Sequence, residues 1–247
     1  MKKTLASILS LSVIAASLAM PAFAADNEIL KGTPTVDGKL DEIYKQSWHS
    51  NIDTSLLLDG AADDKCKAEA WALYDDNGLY VYVEVETGKN GRSSKSNEEM
   101  NKINGGLPYN EIDGIEFRSG QTDGMFFFSY DGELSNSYNN AFGGKFESKT
   151  AILSDSKYAI EFFISFVDGQ KTGDMAQINI QIDNYDDAYV GAYGRVTTEC
   201  VLSATEVTAP KPAETTETAP ATADAGIAAA LAAIASGAAL VVSKKRH

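Results

Sequence analysis

Apolar and polar residues alternate along several segments of this chain, and that alternation constrains the fold more than any other feature. Between residues 79 and 86, aliphatic residues occupy every second position, and the positions between them hold Tyr80, Tyr82 and two glutamates. A period of two places one set of side chains on each face of a β-strand. The same pattern recurs at 158–166 and 178–183.

Turn sequences separate these segments from further candidate strands, and the one helical turn that we expect lies near 41–46. The further strands are predicted at 66–74, 112–118, 124–130, 145–153 and 189–202. Each strand has one apolar face, and a second sheet is needed to cover it. Residues 27–203 therefore predict an all-β domain with the fold of an antiparallel β-sandwich.

The two ends of the chain carry export and anchoring signals rather than parts of this domain. Residues 1–24 have a basic start, an apolar run and small residues at the end, which predict a secretory signal peptide. The uncharged stretch 225–242 is long enough for a transmembrane helix, and the basic tail 243–247 should stay cytoplasmic. The Thr- and Pro-rich stretch 204–224 predicts an extended linker. We therefore expect the domain on the extracellular face of the cell envelope.

A short motif in the linker indicates how the chain is attached. Residues 219–223 read A-P-A-T-A and are followed by the apolar span and the basic tail. This arrangement resembles the sorting signals of Gram-positive surface proteins, whose core is L-P-x-T-G, although the first and last positions differ. A sortase would cut after Thr222, and the alternative is a retained membrane anchor. In both cases the C-terminus is expected to contact the cell membrane or wall.

Charge and histidine content exclude several classes of function. The chain has 35 acidic and 21 basic residues, a net charge of −14. This balance argues against nucleic acid as a partner, because phosphate binding needs clustered lysines and arginines. His49 is the one histidine besides the C-terminal residue. A His-rich metal site is therefore excluded, and little is left for a Ser-His-Asp mechanism.

Five blocks of sequence, taken in order, resemble the family 9 carbohydrate-binding modules. The blocks are P-T-V-D-G-K-L-D-E-I-Y at 34–44, A-W-A-L-Y-D-D-N-G-L-Y-V-Y-V at 70–83, D-G-I-E-F at 113–117, Y-A-I-E-F-F-I at 158–164 and I-N-I-Q-I-D-N at 178–184. The resemblance covers essentially all of 27–203. It implies a β-sandwich that binds a poly- or oligosaccharide of the plant cell-wall type without cleaving it, in support of carbohydrate catabolism.

The resemblance also implies a sugar site made of aromatic rings and polar side chains. Tyr109 corresponds to the first stacking aromatic of the family, Glu116 to a hydrogen-bonding carboxylate and Gln181 to an amide. A pyranose suits such a site because its C–H faces stack on aromatic rings while its hydroxyls need hydrogen bonds. The second stacking tryptophan has no counterpart here. Three tyrosines are candidates to replace it: Tyr185, Tyr189 and Tyr193.

Two pairs of residues allow two interpretations each. Tyr80 and Tyr82 lie opposite the aliphatic row of their strand, where they either line a sugar-binding surface or pack across strands under a loop. Cys66 and Cys200 either form a disulfide, which an exported protein can keep, or are small buried thiols.

Acidic residues near position 185 raise the question of a bound ion. Asp183, Asp186 and Asp187 lie close together, and carboxylate oxygens are ligands that Ca²⁺ prefers. A structural calcium ion is one expectation, and acidic surface turns are the alternative, because the spacing is not that of a calcium-binding loop. The sequence indicates no other cofactor.

Three other functions compete with sugar binding. A structural or adhesive surface protein without a sugar site would account for the missing second tryptophan. A haem-binding redox domain would need His49 together with Met125 or Met175. A hydrolase would need a pair of carboxylates that nothing in the sequence singles out. We therefore expect a non-catalytic binding module rather than an enzyme.

Overall fold

The computed structural model describes residues 27–52, 66–108, 111–118, 125–138, 145–166, 169–185 and 192–208. These residues form strands β1 (Glu28–Lys31), β2 (His49–Ile52), β3 (Lys67–Tyr74), β4 (Gly78–Glu86), β5 (Gly114–Arg118), β6 (Met125–Ser129), β7 (Ser135–Tyr138), β8 (Phe146–Ser154), β9 (Lys157–Ser165), β10 (Met175–Asn184) and β11 (Ala192–Glu206). They also form the α-helix α1 (Asn97–Met100) and 3-10 helices at Glu42–Gln46 and Ile103–Gly105. All of these elements lie in the first of two compact units of the chain, Met1–Pro210.

The strands form one continuous hydrogen-bonded sheet in the order β7-β6-β5-β10-β11-β1-β3-β4-β9-β8, with β2 paired to β3. Strand β1 joins the two halves of this sheet, because it runs parallel to both β11 and β3. The other pairs among the described strands are antiparallel. The fold is all-β, as predicted. The predicted antiparallel arrangement is confirmed for these pairs and is wrong for β1, which enters between the two halves in the parallel direction.

The two halves of the sheet pack their apolar faces against each other. The aliphatic row of β4 and the isoleucines of β10 are buried in this central core. Aromatic rings cross between the halves: the ring centroid of Phe162 in β9 lies 5.0 Å from that of Phe117 in β5 and 4.7 Å from that of Phe128 in β6. The structure thus has the sandwich character that the alternation predicts.

A second apolar cluster lies on the outward face of β3 and β4. Tyr80 and Tyr82 pack there against Tyr44 and Leu73, beneath the N-terminal segment 32–47. Both tyrosines are buried, and burial raises the pKa of each phenol. The interpretation as a sugar-binding surface is therefore wrong for this pair. The rings pack across strands under a covering segment, which was the alternative.

A buried carboxylate in β9 fastens that covering segment to the sheet. Glu161 accepts hydrogen bonds from the backbone N–H groups of Asp37 (2.8 Å) and Gly38 (2.9 Å) and from the hydroxyl of Tyr44 (3.0 Å). Gly38 has a φ of 82°, a left-handed conformation that glycine adopts without strain. The opening block of the sequence is therefore a turn built to bind this carboxylate.

The predicted strands are all present, with ends shifted by a few residues, and the 3-10 helix Glu42–Gln46 confirms the predicted helical turn. Three strands were missed: β1, β2 and β7. Each is four residues long, which is too short to show a period of two. The sequence therefore indicates the long strands of the sheet and not the short ones that complete it.

The last described residues extend the fold beyond its predicted end. Strand β11 continues to Glu206, and the backbone N–H of Val207 donates to the carbonyl of Lys31 (2.9 Å). The first residues of the predicted linker thus belong to the sheet. The predicted signal peptide, the rest of the linker and the predicted transmembrane stretch 225–242 lie outside the described residues. Within the described part, no helix is long and apolar enough to cross a bilayer.

The two cysteines are thiols buried in the central core. Burial raises the pKa of Cys200 to about 12. The structure therefore agrees with the interpretation as buried thiols and not with a disulfide between Cys66 and Cys200.

We expect Glu161→Ala to lower the free energy of unfolding by about 3 kcal/mol or more, because it leaves a buried hydroxyl and two backbone N–H groups without their acceptor. Chemical denaturation monitored by circular dichroism measures the loss. Glu86→Gln, an exposed position on β4, is the control and should change little. A loss below about 1 kcal/mol for Glu161→Ala would contradict the fastening role.

Glu161→Gln should change how stability depends on pH. Burial raises the pKa of the Glu161 carboxyl in the folded state, so the folded state favours the protonated form. The stability that this preference contributes is fully present below the pKa of the unfolded state, about 4.3. It is lost as pH rises through the higher pKa of the folded state. Relative to the wild type, the glutamine variant should therefore gain stability as pH rises from about 4 to about 7. Denaturation curves of both proteins measured across this pH range give the difference in their free energies of unfolding. A difference that does not change with pH would contradict the raised pKa of Glu161.

Candidate functional site

Two polar side chains lie next to each other on the outward face of the half-sheet that contains β5 and β10. In β5, Ile115 and Phe117 are in the central core, so Glu116 between them faces the opposite way. In β10, Ile180 and Ile182 are in the core, so Gln181 faces outward as well. Glu116 and Gln181 are direct register partners across the two strands. We refer to Glu116 and Gln181 as the polar pair.

The polar pair is enclosed to different degrees by its surroundings. Glu116 is only 4% exposed, whereas Gln181 is half-buried. The amide nitrogen of Gln181 donates a hydrogen bond to Asp183 Oδ1 (3.0 Å), which fixes the orientation of the amide. Arg118, two residues after Glu116, lies opposite Asn179 and donates to the sulfur of Met125 (3.6 Å). The face thus offers a carboxylate, two amides and a guanidinium at fixed positions.

An outer layer formed by residues 93–108 covers the neighbouring strand β6. Its core consists of Met100, Leu107, Ile112, Phe127 and Leu134. Phe127 is the register partner of Glu116, so this layer begins directly beside the polar pair. It forms a wall on one side of the outward face.

Local sequence explains the conformation of this wall. Helix α1 begins with a capping box, in which the Ser96 hydroxyl and the Glu99 carboxylate each accept a backbone N–H of the other residue. The turn that follows is left-handed from Asn104 (φ 47°) to Gly106 (φ 105°), which the N-G-G sequence allows. The amide of Asn136 in β7 donates to the Gly106 carbonyl (2.9 Å) and holds the turn down.

Asp113 fastens two chain segments at the start of β5. It is fully buried, and its Oδ2 accepts a hydrogen bond from the backbone N–H of Gly91 (2.8 Å). Its Oδ1 accepts the backbone N–H of Tyr185, and its own backbone carbonyl accepts the N–H of Tyr130 (3.0 Å). In the sequence, Asp113 opens the D-G-I-E-F block, and that motif predicts no role for it. One signal could have predicted the role of Asp113: it directly precedes the strand that carries the candidate carboxylate Glu116.

The structure brings some of the predicted site residues together and leaves others outside its description. Glu116, Gln181 and Asp183 share one surface, and Tyr185 is held by Asp113. Tyr193 is the register partner of Asp183 in β11, but its side chain is outside the described part. Predicted residues that lie wholly outside the described part are Tyr109, Tyr189, Asp186, Asp187 and Thr222.

Two further amides precede Gln181 on β10 and are not among the predicted site residues. Gln177 and Asn179 occupy alternate positions with the core isoleucines and are half-buried on the same outward face. The period of two in this strand was the available signal, because it places every second residue after Gln177 on one side.

The ion and haem expectations gain no support from the described residues. Asp183 is engaged by the Gln181 amide, and the described part of the chain has no group of three or more side chains suited to hold a metal. His49 lies on β2, where its ring contacts Trp71 (centroids 4.9 Å apart) and its Nε2 lies 3.4 Å from Glu69. The contacts of the His49 ring in the described residues are thus with a tryptophan and a glutamate. Calcium at Asp183, Asp186 and Asp187 stays a prediction.

Comparison with known proteins identifies related chains. Residues 36–199 match the family described as carbohydrate family 9 binding domain-like. The chain is 27% identical over 165 residues to endo-1,4-beta-xylanase C of Paenibacillus barcinonensis, which covers 65% of this chain and 14% of the xylanase. It is also 27% identical over 162 residues to exoglucanase XynX of Acetivibrio thermocellus, covering 63% of this chain and 14% of that protein. The match thus spans about one seventh of each curated relative.

A solved structure shares the fold. A family 9 carbohydrate-binding module from Caldicellulosiruptor kristjanssonii, solved in complex with cellotriose, superposes with a TM-score of 0.57 at 20% sequence identity. The superposition covers 75% of this chain and 97% of that module. The same kind of module in complex with glucose gives a TM-score of 0.56 at 18% identity.

Replacing Asp113 with alanine should lower the free energy of unfolding by about 2–5 kcal/mol, because buried N–H groups lose a charged acceptor. Urea denaturation measures the difference. Asp76→Ala is the matched control, since the Asp76 side chain is 82% exposed and pairs with Lys31 only at the surface. The control should cost about 0–1 kcal/mol. Equal losses for the two variants would show that Asp113 does not fasten the segments.

Proposed function

The chain belongs to the carbohydrate family 9 binding domain-like family, and we propose that it binds a poly- or oligosaccharide, without cleaving it, at the polar pair of β5 and β10. The observation that carries this proposal is the direct register pairing of Glu116 with Gln181 on the outward face. The two positions that the family resemblance assigns to sugar hydroxyls come from segments far apart in sequence, and the fold places them side by side.

The chemistry of the polar pair suits a sugar. A carboxylate accepts hydrogen bonds at two oxygens, while an amide both donates and accepts, so together they can satisfy neighbouring hydroxyls of one pyranose. Because the Gln181 amide is oriented by Asp183, part of the entropy cost of ordering the site is met before the ligand arrives. We assign the stacking role to Tyr109, with Tyr189 or Tyr193 as the second ring.

The related proteins support the same class of ligand. The curated relatives are xylanases and an exoglucanase, and the solved modules hold cellotriose and glucose. We infer that plant cell-wall glycans of the cellulose or xylan type are the ligand class. In this proposal the protein holds glycan for separate hydrolases and so supports carbohydrate catabolism.

Display at the cell surface completes the proposal. The signal peptide at 1–24 would export the chain, and the linker, the apolar stretch 225–242 and the basic tail would keep the domain on the extracellular face of a Gram-positive envelope. A sortase acting after Thr222 or a retained membrane anchor would serve equally to hold the domain there.

One observation favours a second function, that of a structural or adhesive surface module without a sugar site. Glu116 is 4% exposed, so its carboxylate is largely covered in the described structure. A ligand would have to reach it from the side of Gln181, which is the more open member of the pair. Titration with sugars separates the two functions directly.

Glu116→Gln and Gln181→Ala should each weaken binding of cellotriose about 10- to 100-fold, because a hydrogen bond to a charged or oriented group contributes about 1.5–3 kcal/mol. Isothermal titration calorimetry on the purified full chain measures the dissociation constant, expected between micromolar and millimolar for the wild type.

The chain offers a matched control for this experiment. Asn51 in β2 and Glu69 in β3 are also an amide and a carboxylate in direct register, but they are exposed on the other half of the sheet. Glu69→Gln and Asn51→Ala should leave affinity unchanged. If the folded wild type binds neither cellotriose nor xylotriose, the sugar site is rejected and the structural function is preferred.

Deleting residues 225–247 should release the protein from the cell surface into the medium, because the deletion removes the apolar stretch and its basic tail. Immunoblotting of cell and medium fractions from a Gram-positive host measures the distribution. The full-length chain should stay with the cells and be digested by a protease added to intact cells. Protection of the full-length chain from that protease would contradict surface display.

A further inference from the structure

The outward face of β10 continues well beyond the polar pair. Gln177, Asn179 and Gln181 alternate with isoleucines of the central core, so their side chains lie in one row on the outward face. All three are half-buried. We refer to Gln177, Asn179 and Gln181 as the amide ladder.

Strand β11 widens this row. Thr197 lies opposite Asn179 and Glu199 lies opposite Gln177, and both β11 residues are exposed. On the other side of the ladder, β5 pairs with β10 from Gly114 to Arg118, which lies opposite Asn179. We refer to the outward row of β10 and β11 between Gln181 and Met175 as the strip; its β11 members Thr197 and Glu199 are exposed.

The strip ends in an apolar pair. Met175 and Val201 are register partners at the far end of β10 and β11, with exposed fractions of 52% and 36%. They are two of the four large hydrophobic residues that are exposed in the described part of the chain. An exposed apolar pair at the end of a polar row offers a contact for the C–H face of a sugar.

We propose that the amide ladder binds an extended, neutral oligosaccharide that runs along β10 from the polar pair to Met175 and Val201. The distance from Gln181 to Met175 is about 20 Å at the rise of an antiparallel strand, which accommodates a tetrasaccharide. Amides recur every second residue and can both donate to and accept from successive hydroxyls. The inference rests on the proposed function and adds the length and direction of the ligand.

Charged residues of both signs stand along this row. Arg195 is the register partner of Gln181, Arg118 is that of Asn179, and the exposed Glu199 is that of Gln177. The row therefore has no excess of positive charge to attract a uronic acid, and the net charge of the chain is −14, so a neutral glucan or xylan chain is the better fit.

Calorimetric titration of the full chain with glucose, cellobiose, cellotriose and cellotetraose tests the inference. Affinity should rise with each added unit up to the tetrasaccharide. Asn179→Ala and Gln177→Ala should weaken binding of cellotetraose about tenfold each and leave binding of glucose unchanged, because only the longer ligand reaches these amides. Both side chains face outward, so neither substitution creates a cavity in the core. Asn51→Ala is the control amide on the other half-sheet and should have no effect.

The outcomes separate this inference from the proposed function. If glucose and cellotetraose bind with equal affinity, and Glu116→Gln still weakens glucose binding, the amide ladder does not bind sugar. The sugar site at the polar pair is then still supported. Length-dependent affinity that is unaffected by Asn179→Ala and Gln177→Ala also overturns it, since the extra units then bind elsewhere. If a folded wild type binds none of the four sugars, the proposed function fails and the ladder fails with it.

Discussion

The central core that the two half-sheets share determines most of what this domain can do. Because a strand places successive residues on opposite faces, burying Ile115 and Phe117 in the central core directs Glu116 to the outward face of the half-sheet, and burying the isoleucines of β10 does the same for its amides. A shift of register by one residue would move Glu116 into an apolar core that cannot satisfy a carboxylate. The position of the candidate site is therefore maintained by the same apolar packing that stabilises the fold.

Two buried carboxylates fasten chain segments to the two half-sheets. Glu161 binds the N-terminal segment over β3 and β4, so the tyrosines beneath it become a second core. Asp113 fastens the segments at Gly91 and Tyr185 in the other half-sheet, where β5 begins and β10 ends. Glu161 thus keeps the tyrosines covered, while Asp113 fixes the chain segments next to the strands that carry the polar pair.

The sequence predicts the long strands well, since eight or nine residues with a period of two leave little ambiguity about which face is apolar. It does not predict the four-residue strands, nor the parallel direction of β1, which depends on contacts with β3 and β11. The sequence does not predict the burial of Tyr80 and Tyr82 either. The segment that covers them is bound to Glu161, more than a hundred residues away in the chain. The family resemblance named Glu116 and Gln181, whereas their direct pairing follows only from the non-sequential order β5-β10-β11.

The most direct test of the polar pair as a sugar site is to map the sugar contact by nitrogen–proton correlation spectroscopy of the labelled protein during titration with cellotriose. If the sugar binds there, the largest shift changes will occur at the backbone of Glu116 and Gln181 and at the side-chain amides of Asn179 and Gln181, with little change around Trp71 and His49. Shift changes concentrated on β2 and β3, with β5 and β10 unaffected, would contradict it and place the ligand on the opposite half of the sheet.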